Sequence, residues 1–369
     1  MTPFPRQDYA SLDRYDPGRS PVPVDLSDNT NLWGPHPAAL DRIRAATPDD
    51  LRSYPEVYAD TLRAAVSERF DVDPGCVTTG AGSDDVLDSA FRAAYGSGQT
   101  VAFPAPTFSM VGDLARMNGM EPRPVPWQEA LGDARALLAG DPAVVYLCRP
   151  NNPTGAQMLE EWVERLLVLA GEEGKPQDST RPGGGPLVIV DEAYADFAGE
   201  TLIDRAPHFP KLVVTRTCSK AYGLAGLRCG FATASPATVL EIDKSRGPYK
   251  VARLAAELAV IAIRDEDGWV ARTSGECLEN RARLRTELEA RGLAQLPSSA
   301  NFILFSTPSG IASADASALR ESGVQVRPFT QVPHLGEALR VTVGPWPLME
   351  RFLEALDRRL TALPGVASS

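Results

Sequence analysis

The stretch Thr217–Phe231, TCSKAYGLAGLRCGF, sets one lysine among small hydroxylated residues, ahead of a glycine-rich turn and an arginine. Lys220 follows the apolar run LVVT and stands beside Ser219. A lysine carried past the end of a buried strand into a crevice is partly desolvated. Its amine then gives up its proton more readily and can attack a carbonyl carbon. The chemistry available to such a residue is Schiff-base formation.

A lysine that captures a phosphorylated aldehyde cofactor needs an anion clamp, an acid partner for a pyridine nitrogen, and a platform for the ring. The chain offers all three. Arg228 follows Lys220 closely enough for the chain to return through Gly223 and Gly226 to the same place, where a guanidinium grips phosphate bidentately. The turn Gly80–Asp84 opens a helix whose free N–H groups can cradle the same anion. Asp191 closes the apolar run LVIV, a costly place for a carboxylate unless it meets a cation. Phe108 can stack on a ring. Taken singly, Asp191 also reads as a helix cap, Arg228 as a surface charge, Phe108 as core and Asn152 as turn chemistry.

What joins them is the order of the elements. CVTTGAGSDDVLDSAFRAAYG reads as a strand, a glycine turn and a helix from about Asp84. TVAFP, AVVYLCRP, LVIVDEAYADF and KLVVTRTCSK read as further strands, and NNPTG as a loop before the helix LEEWVERLLVLAGEE. GKPQDSTRPGGGP has the composition of a surface loop. This run of βα units implies an α/β fold with a mostly parallel sheet between helix layers. Ligands of such sheets bind beyond the carboxyl ends of the strands, and the polar clusters fall there. From about Pro248 one long helical stretch leads to the strands ANFILFS, GVQVRPF and ALRVTVG and a last helix, a smaller α+β domain. The expected division is 1–45 as an N-terminal arm and part of the small domain, 46–250 as the large domain and 251–369 as the small one.

Composition narrows the function. The 369 residues carry a net charge of -11, with no basic stripe or helix-turn-helix extension, which argues against a nucleic-acid partner. No apolar run reaches membrane-span length, and the N-terminus lacks the apolar core of a signal peptide, so a cytoplasmic protein is expected. The five cysteines are scattered, without a C-x-x-C pair, and fit a reducing compartment; Cys218 and Cys229 read as small hydrophobes. The three histidines are isolated in sequence, and no metal is assigned.

The motifs NNPTG, VDEAY and TCSKAYGLAGLRCG, in this order and spacing, resemble those of fold-type I, pyridoxal-phosphate-dependent aminotransferases of class I/II, and most resemble the histidinol-phosphate aminotransferase branch. The likeness runs from LSDNTNLWGP to LRVTVG. It implies Lys220 as the Schiff-base lysine and Asp191 as partner of the pyridine nitrogen. It places Tyr194 and Asn152 on the phenolic oxygen, and Thr217, Ser219, Arg228 and the backbone of Ser83 and Asp84 on the phosphate. Phe108 would stack on the ring, where the family usually has tyrosine. Tyr54 of SYPEVY resembles a tyrosine that reaches the neighbouring subunit's phosphate, which implies a homodimer. Arg340 matches an arginine that binds the substrate's anionic group, and Arg327 resembles a second one. The implied reaction passes an amino group to 2-oxoglutarate in two ping-pong halves.

The donor is less determined. The branch usually reads NENPYGP where this chain has DNTNLWGP, so Thr30 and Trp33 replace glutamate and tyrosine, and Pro328 stands where an acidic residue is common. Histidinol phosphate is the donor the branch implies. Trp33 could instead stack on an aromatic amino acid, and decarboxylation of a phosphorylated amino acid is a third reading on the same fold.

Overall fold

The computed structural model describes residues 21–94, 99–173 and 184–363, together with 4, 9, 12–14 and 16. Most of the stretch expected as a surface loop after residue 173, and much of the first twenty residues, lie outside the described residues.

In chain order the strands are β1 (Val24–Asp25), β2 (Val77–Gly80), β3 (Thr100–Ala105), β4 (Glu121–Pro126), β5 (Val144–Cys148) and β6 (Leu187–Asp191). They continue as β7 (Leu212–Thr217), β8 (Gly230–Ala234), β9 (Phe302–Ser306), β10 (Val324–Gln325), β11 (Arg327–Val332) and β12 (Gly336–Thr342). Seven of them form one sheet in the order β2-β8-β7-β6-β5-β3-β4. All its pairings are parallel except those of β8, which runs against both neighbours. β5 and β7 are buried at every residue, as continuous apolar runs in a sheet covered on both faces must be. One apolar cluster, with Leu147, Val190 and Val214, lies on one face; another, with Phe91, Tyr146 and Ile189, lies on the other.

The antiparallel β8 sets the spacing of the strand ends around it. Its first residue, Gly230, pairs with both Gly80 and Thr217, the last residues of β2 and β7. The ends of β2 and β7 are thereby fixed on either side of Gly230, at the edge of the sheet where ligands bind.

A second, antiparallel sheet orders β11-β12-β9, and β1 pairs in parallel with β10. The N-terminal segment is therefore joined to the C-terminal part of the chain. Two expectations need correction here. The long helical stretch is two helices, Arg253–Arg264 and Trp269–Ala290. Asp265 at φ 46° and Gly268 at φ 66° take the left-handed conformation that ends one helix and opens the next. GVQVRPF is likewise two strands, because β10 pairs with β1 and β11 with β12.

Candidate active site

The carboxyl ends of the parallel strands open onto a cavity of about 620 Å³, a size suited to a small ligand. Its lining includes Lys220, Asp191, Tyr194, Asn152, Phe108 and Arg228. Ser83, Asp84, Thr217, Ser219, Arg327 and Arg340 line it as well. Lys220 donates from Nζ to the carbonyl of Asp28 at 2.8 Å and lies 5.7 Å from the centre of the Tyr194 ring. Burial, reinforced by the positive charge of Arg340, lowers its amine to about 8. The neutral, nucleophilic form is thus accessible near neutral pH.

Asp191 ends β6 with its side chain buried. Its carboxylate accepts from the Tyr146 hydroxyl at 2.8 Å, the Thr215 hydroxyl at 3.2 Å and the Ala193 N–H at 3.2 Å. Burial pushes its pKa up to about 6 against the pull of those donors. A carboxylate so placed is suited to hold a protonated ring nitrogen. Tyr146 is concealed in the sequence because VVYLC looks like uninterrupted core; the phenol within a buried strand is the available signal. Asn29 is concealed too. Its amide donates to the Tyr194 hydroxyl at 3.1 Å, which leaves that hydroxyl's proton available to a ligand.

A second group of lining residues is mostly donors. The Thr217 and Ser219 hydroxyls are 2.9 Å apart, and Arg228 reaches Ser219 Oγ at 3.4 Å and Asp84 Oδ2 at 3.1 Å. The helix Ser83–Ala94 starts here, so its first N–H groups have no partner within the helix. Two glycines make the cradle possible. Gly82 has φ 86°, and a Cβ there would stand 2.5 Å from Arg228 Nη2. A Cβ on Gly230 would stand 2.3 Å from Ser83 N. Arg228 itself holds φ 51°, a left-handed conformation uncommon outside glycine and often found at functional sites. Hydroxyls, a guanidinium and a helix start around one space are donors of the kind that could hold a phosphate. With the buried acid, the amine and Phe108 lining the same cavity, the residues fit pyridoxal phosphate.

The two asparagines of NNPTG divide their work. Asn151 is buried and shapes the loop, donating to Pro106 O at 3.0 Å and Thr154 Oγ1 at 2.8 Å. Asn152 faces the cavity, and its Oδ1 accepts from Arg340. Arg340 also donates to Ser27 O at 2.6 Å, and its guanidinium lies 5.3 Å from the ring centres of Phe302 and Phe329. Arg327 is its direct partner across the β11–β12 ladder. Two other expected residues stand elsewhere. The Trp33 indole donates to Glu276 Oε2 at 2.6 Å and is not among the lining residues, whereas Thr30 is. Tyr54 is 80% exposed, stacks against Tyr249 at 4.9 Å and does not line this chain's cavity. Cys218 and Cys229 are buried free thiols.

The family model for class I and II aminotransferases matches residues 21–356. The chain is 36% identical over 357 residues to histidinol-phosphate aminotransferase 2 of Rhizobium meliloti, covering 95% of this chain and 97% of that one. It is 36% identical over 360 residues to the histidinol-phosphate aminotransferase of Gluconacetobacter diazotrophicus, covering 95% and 96%. Among solved structures, the histidinol-phosphate aminotransferase of Sinorhizobium meliloti, in complex with pyridoxal-5'-phosphate, superposes with a TM-score of 0.82 at 25% identity over 96% of this chain and 97% of that one. The chain belongs to the class I and II aminotransferases, and it is a fold-type I, pyridoxal-phosphate-dependent transaminase of the histidinol-phosphate aminotransferase branch.

Proposed function

We propose that the protein transfers the amino group of histidinol phosphate to 2-oxoglutarate, in two ping-pong halves that share Lys220. Bound pyridoxal phosphate supplies an aldehyde for the donor's nitrogen and a ring that withdraws electrons from the donor's Cα. The chain's residues do the rest. Lys220, released as a neutral amine, would take the proton from the donor's Cα and deliver it to the carbon on the other side of the donor's nitrogen. Asp191 holds the proton on the ring nitrogen, steadied by Tyr146 and Thr215. The Tyr194 hydroxyl and the Asn152 amide donate to the phenolic oxygen. Thr217, Ser219, Arg228 and the N–H groups of Ser83 and Asp84 hold the phosphate, and Phe108 covers the ring.

The observation that carries the choice of donor is the pairing of Arg327 with Arg340. Like charges directly opposite on an antiparallel ladder repel. Both line the cavity, where two guanidiniums can grip a doubly charged anion with charge-assisted hydrogen bonds. A donor with a phosphate meets the requirement better than an aromatic amino acid. The Trp33 indole, on which aromatic stacking would depend, is turned to Glu276 instead. A second copy of the chain is part of this reading. Leu51 (75%), Tyr54 (80%) and Tyr249 (42%) are exposed large apolar side chains, and the two tyrosine rings pack together; exposed apolar surface of this kind suits an interface. We place Tyr54 in the neighbour's phosphate site.

The test is a half-reaction screen on the holoenzyme. Histidinol phosphate should bleach its visible absorbance at lower concentration than phenylalanine, tyrosine or a phosphorylated amino acid. Bleaching by tyrosine or phenylalanine at lower concentration would reject the phosphate donor, and release of CO₂ from a phosphorylated amino acid would make the protein a decarboxylase.

A further inference from the structure

Away from the active site, three potential ligands converge where the N-terminal segment meets the break between the two long helices. They are His36, Asp265 and Asp267, with one donor atom from each lying within 4.8 Å of the others. His36 is 2% exposed. Its Nε2 lies 3.1 Å from Asp267 Oδ1 and 3.5 Å from Asp265 Oδ1. Yet neither ring nitrogen has a hydrogen-bond partner among the described residues. At 3.1 Å that means the carboxylate oxygen lies off the axis of an N–H bond. Such an approach is poor for a hydrogen bond. It is the arrangement of two ligands on one ion, because donors at about 2.0–2.1 Å from a metal stand roughly 2.9–3.4 Å apart and to the side of each other's lone pairs.

The carboxylates are held in place. Asp265 accepts from the N–H groups of Val270 at 2.8 Å and Ala271 at 3.1 Å, and Asp267 accepts from Trp269 N–H at 3.2 Å. These contacts come from the first turn of the helix Trp269–Ala290 and fix the ligand oxygens from behind, as outer partners do in metal sites. The Trp269 ring, 5.5 Å from that of His36, walls the site on one side. Asp267 is 56% exposed, so water can complete the coordination.

We propose that His36, Asp265 and Asp267 bind a divalent first-row transition ion through one imidazole nitrogen and two carboxylate oxygens. The nitrogen donor favours such an ion over magnesium or calcium, which prefer oxygen alone. The ion staples the segment before the helix Pro37–Arg44 to the helix break. That segment packs tightly on the turn after Lys220: a Cβ on Gly223 would meet Gly34 O at 2.3 Å. A few residues earlier, Asp28 offers its carbonyl to Lys220. The site therefore supports one wall of the cavity without touching the reacting atoms.

Cobalt(II) is the probe, added to tag-free holoenzyme and followed by its visible d–d absorption and by thermal unfolding. The expected result is a band that saturates at one ion per chain, a rise in Tm, and no displacement by excess magnesium. Asp267→Asn, at an exposed side chain, should weaken cobalt binding at least about tenfold, and His36→Gln should remove the band. Absence of a saturable band in the unaltered protein, or a cobalt affinity in both variants unchanged from that of the unaltered protein, would overturn the proposal.

Discussion

Asp191 makes a carboxylate's environment measurable. Its folded-state pKa of about 6 stands above the ordinary 3.8 because burial disfavours the charge. The folded apoprotein thus keeps a proton between those values that the unfolded chain has lost. The resulting stabilisation is complete below about 3.8 and disappears as pH rises through about 6, a difference of about 3 kcal/mol. A protonated ring nitrogen against the carboxylate restores what is lost. The Tm gap between holoprotein and apoprotein should therefore widen from pH 4 to pH 7, and Asp191→Asn should flatten the apoprotein's decline relative to the unaltered chain. A parallel decline in both would mean that other groups cause it. The residue scale also shows what a sequence conceals. Asp191 and Lys220 are legible because each is a charge at or near the end of an apolar run, and Arg228 because it follows Lys220 closely through a glycine-rich turn. Tyr146 and Asn29 are not, since each acquires its role from a partner far along the chain, Asp191 in one case and Tyr194 in the other.

Among the elements, β8 shapes the proposed phosphate site. By running against its neighbours it brings Gly230 beside both Gly80 and Thr217. Gly230→Ala would set a Cβ 2.3 Å from Ser83 N and 2.5 Å from Gly82 C, both backbone atoms that cannot rotate away. The turn that starts the helix Ser83–Ala94 would have to move off the strand. Titration of the apoprotein with pyridoxal phosphate should show at least about tenfold weaker binding, with about 1–3 kcal/mol lost from stability. Gly275→Ala, within the helix Trp269–Ala290 and with nothing within 4 Å of the added Cβ, is the control and should bind normally. Equal affinity in both variants would show that the close approach is not needed. The parallel strands can be read from their apolar runs, but β4 cannot. Its sequence EPRPVP holds three prolines, which cannot donate to a ladder and survive here because β4 is the edge strand. The break at Asp265–Gly268 has a signal, the polar run DEDG with its Asp-Gly pair, which the apolar spacing on both sides overrides.

For the whole molecule, the decisive question is whether a site is complete within one chain. Tyr54, which we propose serves a neighbouring site, stands outside this chain's cavity lining, exposed and packed against Tyr249. A single chain gives no means of reading its target, because the contact would cross between copies. Mixed dimers can identify it. A Lys220→Ala chain lacks its own amine, and a Tyr54→Ala chain would lack the hydroxyl it lends to its partner. When the two are unfolded and refolded together, a mixed dimer contains one site with both defects and one with neither. Random pairing puts half the dimers in the mixed class, so about a quarter of all sites should be intact. Activity should rise to about a quarter of that of the unaltered enzyme, from a Lys220→Ala parent with none and a Tyr54→Ala parent weakened in phosphate binding. If Tyr54 served its own chain, every mixed dimer would pair a site lacking Lys220 with a site lacking Tyr54. Mixing would then yield no more than the average of the two parents.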